Sequence, residues 1–192
     1  MRTILPYQEN PALRQIAAEI PLGDIDTPHI REMIADMKRL LVQEKYGVAI
    51  AASQVGEPVR LFVVSGGALA KHTDSEHADT DDDKKEGSSV ADPSRRRVVV
   101  PDQVYINPVM LKMSRGKVPK HEGCLSVKGI WGNVPRAEKA TVRAYDEHGA
   151  AFTRGASGFL AHVFQHEMDH LDGILYIDKA KQLYDDKLDD EQ

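Results

Sequence analysis

The five residues His166-Glu167-Met168-Asp169-His170 constrain the fold of this chain more than any other feature of its sequence. They fall within a segment, about residues 156–171, that reads as a helix ending before Asp172-Gly173. Residues four apart lie on one face of a helix, so both imidazoles can reach one metal ion while Glu167 sits beside it. A carboxylate in that place can act as a general base toward water. We therefore expect this helix to be central to the fold.

A catalytic metal site usually has a third protein ligand and keeps one position open for water. The extended pattern HExxHxxGxxH fails here, because its last position is Tyr176. A downstream glutamate is another solution, but only Glu191 on a charged tail is available. Cys124 is the better candidate: Gly123 permits close backbone approach, and residues 125–127 read as a buried strand. The alternative for a lone cysteine is a small buried hydrophobic residue.

A run of small residues, 47–54, ends in the polar amide of Gln54. Small side chains let the backbone pass close to a partner, and an amide can donate to a carbonyl oxygen that gains charge during hydrolysis. The alternative is a tightly packed segment with Gln54 on the surface. Taken alone, this run does not separate the two interpretations.

The periodicity of the remaining chain predicts an α+β fold, with mixed or antiparallel sheets around the central helix. Residues 28–43 carry apolar side chains at i, i+3, i+4 and i+7 spacing, which predicts a first helix. Strands are predicted in β-rich or alternating runs at 59–64, 98–100, 104–106, 109–113 and 140–145.

Two charged stretches interrupt this organisation. Residues 73–89 hold seven acidic residues and two lysines without a core-forming side chain, so 65–97 is predicted to be a disordered surface insertion. The tail, 178–192, is predicted to form a short helix or a frayed end. With these stretches included, residues 1–192 are predicted to form one domain with a single core.

Charge and cysteine content exclude some classes of function. The net charge is −5, whereas nucleic-acid-binding domains usually carry a basic patch, so we expect no direct contact with nucleic acid. No apolar run approaches the roughly 18 residues of a membrane span, and the N-terminus lacks the features of a targeting peptide. A single cysteine rules out an internal disulfide and favours a cytoplasmic location.

Three motifs in this order resemble the peptide deformylase family. That family carries GxGxAAxQ, EGCLS and HExDH motifs, which appear here as Gly47–Gln54, Glu122–Ser126 and His166–His170. The second and third motifs are complete. The resemblance extends over about residues 1–64 and 98–177, leaving out the charged insertion and the tail.

The resemblance implies a function and a role for each motif residue. The reaction would be hydrolysis of the N-formyl group of formylmethionine on nascent polypeptides, releasing formate. Cys124, His166 and His170 would bind one divalent metal, Fe(II) by preference, with zinc or nickel as substitutes. Glu167 would shuttle the proton. The formyl oxygen would be held by Gln54 and the backbone N–H of Leu125.

The substrate pocket implied by the resemblance departs from the family pattern in several places. Val48, Leu125, Gly123 and His162 would line it, with Ala49 in place of the second motif glycine. Where the family often has proline and arginine after EGCLS, this chain has Lys128 and Trp131. His162 replaces an aliphatic residue, and could be a pocket wall, a hydrogen-bond partner behind the metal, a pH-sensitive group, or a histidine bonded to a carbonyl.

Two rival functions remain at this point. One is a zinc peptidase with an unrecognised third ligand. The other is a metal-containing binding protein for formylated chains that has lost turnover, although such a protein has no need for Glu167. The sequence leaves ribosome docking open.

Overall fold

The computed structural model describes residues 1–70, 72 and 100–185. Within these ranges the larger sheet has five strands in the order β1-β2-β3-β6-β7, and all neighbours pair antiparallel. Its strands are β1 (Ala49–Ala51), β2 (Leu61–Val64), β3 (Gln103–Met113), β6 (Lys139–Tyr145) and β7 (Ala151–Ser157).

The first helix and the motif helix cover opposite faces of this sheet. Helix α1 (Pro28–Gln43) packs its apolar stripe on one face, which includes Leu61 and Val63. Helix α2 (Gly158–Leu171) packs on the other face, which includes Phe62 and Val64. All four residues of β2 are therefore buried, which explains why this strand reads as an unbroken apolar run.

A second sheet has three antiparallel strands in the order β4-β5-β8. They are β4 (Lys117–Cys124), β5 (Val127–Ala137) and β8 (Gln182–Asp185). A smaller apolar cluster joins this sheet to the short helix α3 (Tyr176–Lys179) and to the N-terminal region: Leu13, Val127, Val134, Leu175 and Tyr176. Among the described residues, no helix is long and apolar enough to cross a membrane.

The α+β prediction is confirmed, as are the helix at 28–43 and the strand near 59–64. The motif helix starts at Gly158 and ends at Leu171, close to the predicted bounds. The predicted strands 104–106 and 109–113 form one strand, β3, whose pairing shifts register near Asn107, where φ is +48°. Strand β6 agrees with the predicted strand at 140–145.

Two local predictions need correction. The predicted strand at 125–127 is wrong for its first two residues: Leu125 and Ser126 form the tight turn between β4 and β5, and Val127, the first residue of β5, pairs with Cys124. The short helix Tyr176–Lys179 includes only the first two residues of the tail, and residues 182–185 form β8 on the smaller sheet, while residues 186–192 lie outside the described residues. Within the predicted insertion, residues 66–70 are helical, while residues 73–97 and most of the predicted strand 98–100 lie outside the described residues.

Candidate metal centre

Three potential metal ligands converge where β4 meets α2. Cys124 is the last residue of β4, and His166 and His170 lie one turn apart on α2. One ligand atom from each residue lies within 4.8 Å of the others. The Cys124 Sγ atom is 3.2 Å from His170 Nε2, and the two imidazole rings are nearly perpendicular. A thiolate and two imidazoles form a donor set suited to zinc and similar divalent metals.

The environments of the two histidines leave a nitrogen of each directed toward this point. His166 Nδ1 is 2.8 Å from Glu122 Oε2, so Nδ1 donates to the carboxylate and Nε2 remains for a metal. Burial lowers the pKa of His170 well below its usual value, so this ring is neutral and can donate an electron pair. Burial also opposes a charge on His166, but contacts with Cys124 and Glu122 raise its pKa above the usual value.

Glu122 is the functional residue that sequence reasoning missed. Its side chain is only 1% exposed and accepts four hydrogen bonds, two to each oxygen. Arg136 Nε and His162 Nε2 approach Oε1 at 2.6 and 3.0 Å, while Arg136 Nη2 and His166 Nδ1 approach Oε2 at 2.9 and 2.8 Å. Burial alone would raise the pKa of Glu122, but these donors lower it far below the usual range.

The charge network continues behind Glu122 into α2 and α3. Arg136 Nη1 contacts Asp169 Oδ2 at 2.6 Å, and Lys179 Nζ contacts the other Asp169 oxygen at 2.6 Å. Arg136 is 3% exposed, so its charge is compensated by carboxylates rather than by water. The only signal in the sequence was the position of Glu122, two residues before Cys124.

Glu167 lies beside the ligand cluster without a satisfied carboxylate. The residue is 3% exposed, and its Oε2 atom is buried with no hydrogen-bond partner among the described residues. Burial raises the pKa of Glu167 to about 7. A carboxyl group with such a pKa can both accept and return a proton near neutral pH. His170 Nδ1 is also buried without a partner among the described residues.

Gln54 and Leu125 line the same cavity as the candidate ligands Cys124 and His166. Gln54 is 1% exposed, so the alternative that it is a surface residue is wrong. Its Oε1 accepts from the backbone N–H of Ala51, which fixes the amide. Its Nε2 lies 3.4 Å from both Cys124 Sγ and Ser126 Oγ, and these contacts are long enough to yield to a better acceptor.

The ligand cluster opens into a cavity of about 470 Å³. This volume lies in the usual range for small-molecule sites. The structure brings every predicted pocket residue to this cavity: Val48, Ala49, Gly123, Leu125 and His162. Among the residues for which the resemblance implied no role, the cavity also contains Phe159, Val163 and Trp131, whose ring packs flat on His121.

The residues present fit a bound divalent metal. The three candidate ligands converge, and the Glu122 carboxylate orients one of them, His166. Two buried polar atoms, Glu167 Oε2 and His170 Nδ1, lack protein partners in the described part of the chain. An HExxH helix with a third ligand and an adjacent pocket defines a class of protein, the metal-dependent hydrolases of amide bonds.

Comparison with known proteins narrows this class to one family. A sequence model of the polypeptide deformylase family matches residues 1–186. The chain therefore belongs to the peptide deformylase family, metalloenzymes that remove the N-formyl group from nascent polypeptides.

The chain is 32% identical over 181 residues to a peptide deformylase of Desulforudis audaxviator, covering 94% of each sequence. It is 35% identical over 176 residues to the chloroplastic/mitochondrial peptide deformylase 1A of Arabidopsis thaliana, covering 88% of this chain and 58% of that protein. The crystal structure of a peptide deformylase from Legionella pneumophila superposes with a TM-score of 0.71 at 31% identity, covering 94% of this chain and 86% of that chain.

Proposed function

We propose that this chain hydrolyses the formyl amide of N-formylmethionyl peptides at the Cys124–His166–His170 centre. The observation that carries this proposal is the buried carboxylate of Glu167. Its Oε2 atom has no hydrogen-bond partner among the described residues, and the residue lines a pocket beside the three candidate ligands. A divalent metal ion here would supply Lewis acidity and make water a competent nucleophile near neutral pH.

Glu167 is the proton carrier in this proposal. Its raised pKa, about 7, suits a group that takes a proton from attacking water and then delivers it to the leaving amine. The attacking water oxygen and the leaving amine nitrogen are both bonded to the formyl carbon during the reaction, so one carboxylate can exchange a proton with each of them without moving far. Burial keeps bulk water from competing for the proton.

Gln54 and Leu125 stabilise the oxygen that gains negative charge when water attacks the formyl carbon. The Gln54 amide is fixed by Ala51, and its NH₂ group faces the ligand cluster. The turn at Leu125-Ser126 places the Leu125 backbone next to Cys124, where its N–H can donate to the same oxygen. Preorganised donors of this kind favour the transition state over the substrate.

The cavity beside the centre binds the methionine side chain. Val48, Ala49, Leu125 and Val163 supply apolar surface. Gly123 also lines the cavity, and a Cβ there would lie 2.7 Å from the Trp131 ring, so the glycine makes room for this indole. His162 adds one polar group to an otherwise apolar wall.

One thiolate and two imidazoles favour a divalent transition metal, and several such metals fit this set of ligands. We propose Fe(II), with zinc or nickel as substitutes, because thiolate and imidazole ligands accept all three. Iron and a thiolate are both sensitive to oxidation, so the cytoplasm, a reducing compartment, suits this centre. We also propose that residues 1–192 form one domain. Substrate binding involves no direct contact with nucleic acid.

Turnover of a formyl-methionyl tripeptide tests the proposal. With the protein kept anaerobic and loaded with iron, release of formate should be detected, and Glu167→Gln should reduce kcat by roughly 10²–10⁴-fold. Gln keeps the shape of Glu but cannot accept a proton, so metal content should remain one ion per chain by elemental analysis.

Two other results would support the rival functions. Cleavage of an internal peptide bond in an unformylated peptide would identify a peptidase instead. Tight binding of the formylated peptide without formate release, by the metal-loaded parent protein, would identify a binding protein. Loss of the metal in Glu167→Gln would show that Glu167 holds the ion rather than carrying the proton.

A further inference from the structure

His162 makes a contact that the proposed mechanism does not use. It lies on α2 one turn before His166, and its Nε2 is 3.0 Å from Glu122 Oε1. Its side chain is 13% exposed, so most of the imidazole is enclosed. We propose that His162 is a positioning residue for the metal centre, which holds the carboxylate that in turn orients the ligand His166.

The hydrogen bonds of Glu122 give this proposal its geometry. Each carboxylate oxygen accepts one bond from the Arg136 guanidinium and one from an imidazole. His162 on Oε1 is thus the counterpart of His166 on Oε2, and both rings project from the same face of α2. Four donors therefore fix the orientation of the Glu122 carboxylate, two at each oxygen.

Burial makes the His162 bond difficult to replace. The Glu122 side chain is 1% exposed, so water has little access to Oε1 when the imidazole donor is removed. Oε1 would then keep only the Arg136 Nε bond, and Glu122 would lose the donor opposite His166, which lets the carboxylate shift toward a less favourable angle with His166. Groups that hydrogen-bond directly to metal ligands, as Glu122 does to His166, commonly contribute about 10–100-fold to metal affinity. His162 acts through Glu122, so its contribution falls at the lower end of this range.

A second role for His162 as a pocket wall predicts different results. A pocket wall acts on the substrate, so its loss changes KM and leaves the metal bound as before. A positioning residue acts on the metal whether or not substrate is present. Metal affinity therefore separates the two roles.

The decisive comparison is His162→Gln with His162→Asn. The Gln amide nitrogen can occupy the position of histidine Nε2 and donate to Glu122 Oε1, whereas the shorter Asn side chain cannot reach it. Both replacements are neutral amides, so charge and hydrogen-bonding character are matched. We expect Asn to raise the Kd for zinc by about 10-fold, in competition with a chromophoric chelator, and Gln to stay within about 3-fold of the parent.

Val48→Ala serves as the control for pocket shape. Val48 lines the same cavity but has no side-chain group that could reach Glu122 by a hydrogen bond. This variant should raise KM for the formylated peptide and leave the zinc Kd unchanged.

The proposal rests on the proposed metal centre, and the experiment distinguishes the failure of each. Equal zinc Kd values for His162→Asn and the parent would overturn the positioning role alone. The same conclusion follows if Gln weakens binding as much as Asn. If the parent chain binds no zinc tightly, the metal centre fails and the positioning role fails with it.

Discussion

Glu167, the proton carrier of the proposed mechanism, shows at the scale of one residue how a buried carboxylate is kept at a cost in stability. Its carboxylate is buried, one oxygen lacks a partner among the described residues, and its pKa is raised to about 7. A folded-state pKa above the unfolded value, near 4.3, means that the folded chain binds the proton more tightly. Ionised Glu167 therefore opposes folding, while the protonated form does not.

Glu167→Gln should stabilise the metal-free protein at pH 8 but not at pH 4. The folded pKa is raised, so the parent loses stability as pH rises from about 4.3 to about 7, by up to about 4 kcal/mol, and Gln removes this loss. Urea unfolding of chelator-treated parent and variant at both pH values measures the difference. A difference that does not depend on pH would show that Glu167 titrates normally.

At the scale of elements, the centre depends on how α2 docks against the second sheet. Gln165 of α2 reaches the end of β5, where it accepts from the Ala137 N–H and donates to the Ala137 C=O. Its sequence position, directly before the metal-binding motif, did not suggest this role. The two bonds place the middle of α2, and hence His166, relative to β5.

Gln165→Leu should destabilise the protein by about 2–3 kcal/mol, because the buried Ala137 N–H loses its acceptor. Chemical denaturation of the metal-free proteins measures the change. The matched control is Gln43→Leu at the exposed end of α1, which should change stability by less than about 0.5 kcal/mol. Equal effects at the two positions would argue against a docking role for Gln165.

At the scale of the whole molecule, one largely buried network links the smaller sheet to the motif helix and to α3. It runs from His162 and His166 through Glu122 to Arg136, Asp169 and Lys179. These residues come from β4, β5, α2 and α3. The rigid placement of the metal ligands is therefore a property of the tertiary fold and not of α2 alone.

Arg136→Met should destabilise the protein by about 3–5 kcal/mol, since it leaves the buried Glu122 carboxylate with only the two imidazoles as partners. Arg31→Met breaks the exposed pair with Asp26 and should cost no more than about 1 kcal/mol. Thermal and urea unfolding of the two variants give the comparison. Similar losses would mean that the Glu122 network is not structurally important.

Much of the fold could be predicted from local pattern. The stripe of α1, the apolar run of β2 and the motif of α2 each carry their own signal, because burial on one face or two leaves a regular period. Strands β4 and β7 lack such a signal, since most of their residues are exposed or half-buried. Strand β8 was missed for the same reason, and its existence depends on pairing with β5.

The chemistry of the centre was also readable from the sequence, because HExxH spacing on a helix and a lone cysteine in EGCLS specify ligand types without any knowledge of the fold. Only the tertiary structure decided which groups hydrogen-bond to those ligands. Glu122 is 44 residues from His166, and neither side chain has a local pattern that predicts the other. Contacts of this range arise when strands and helices pack, so the second layer of the centre was set by the arrangement of β4, β5 and α2.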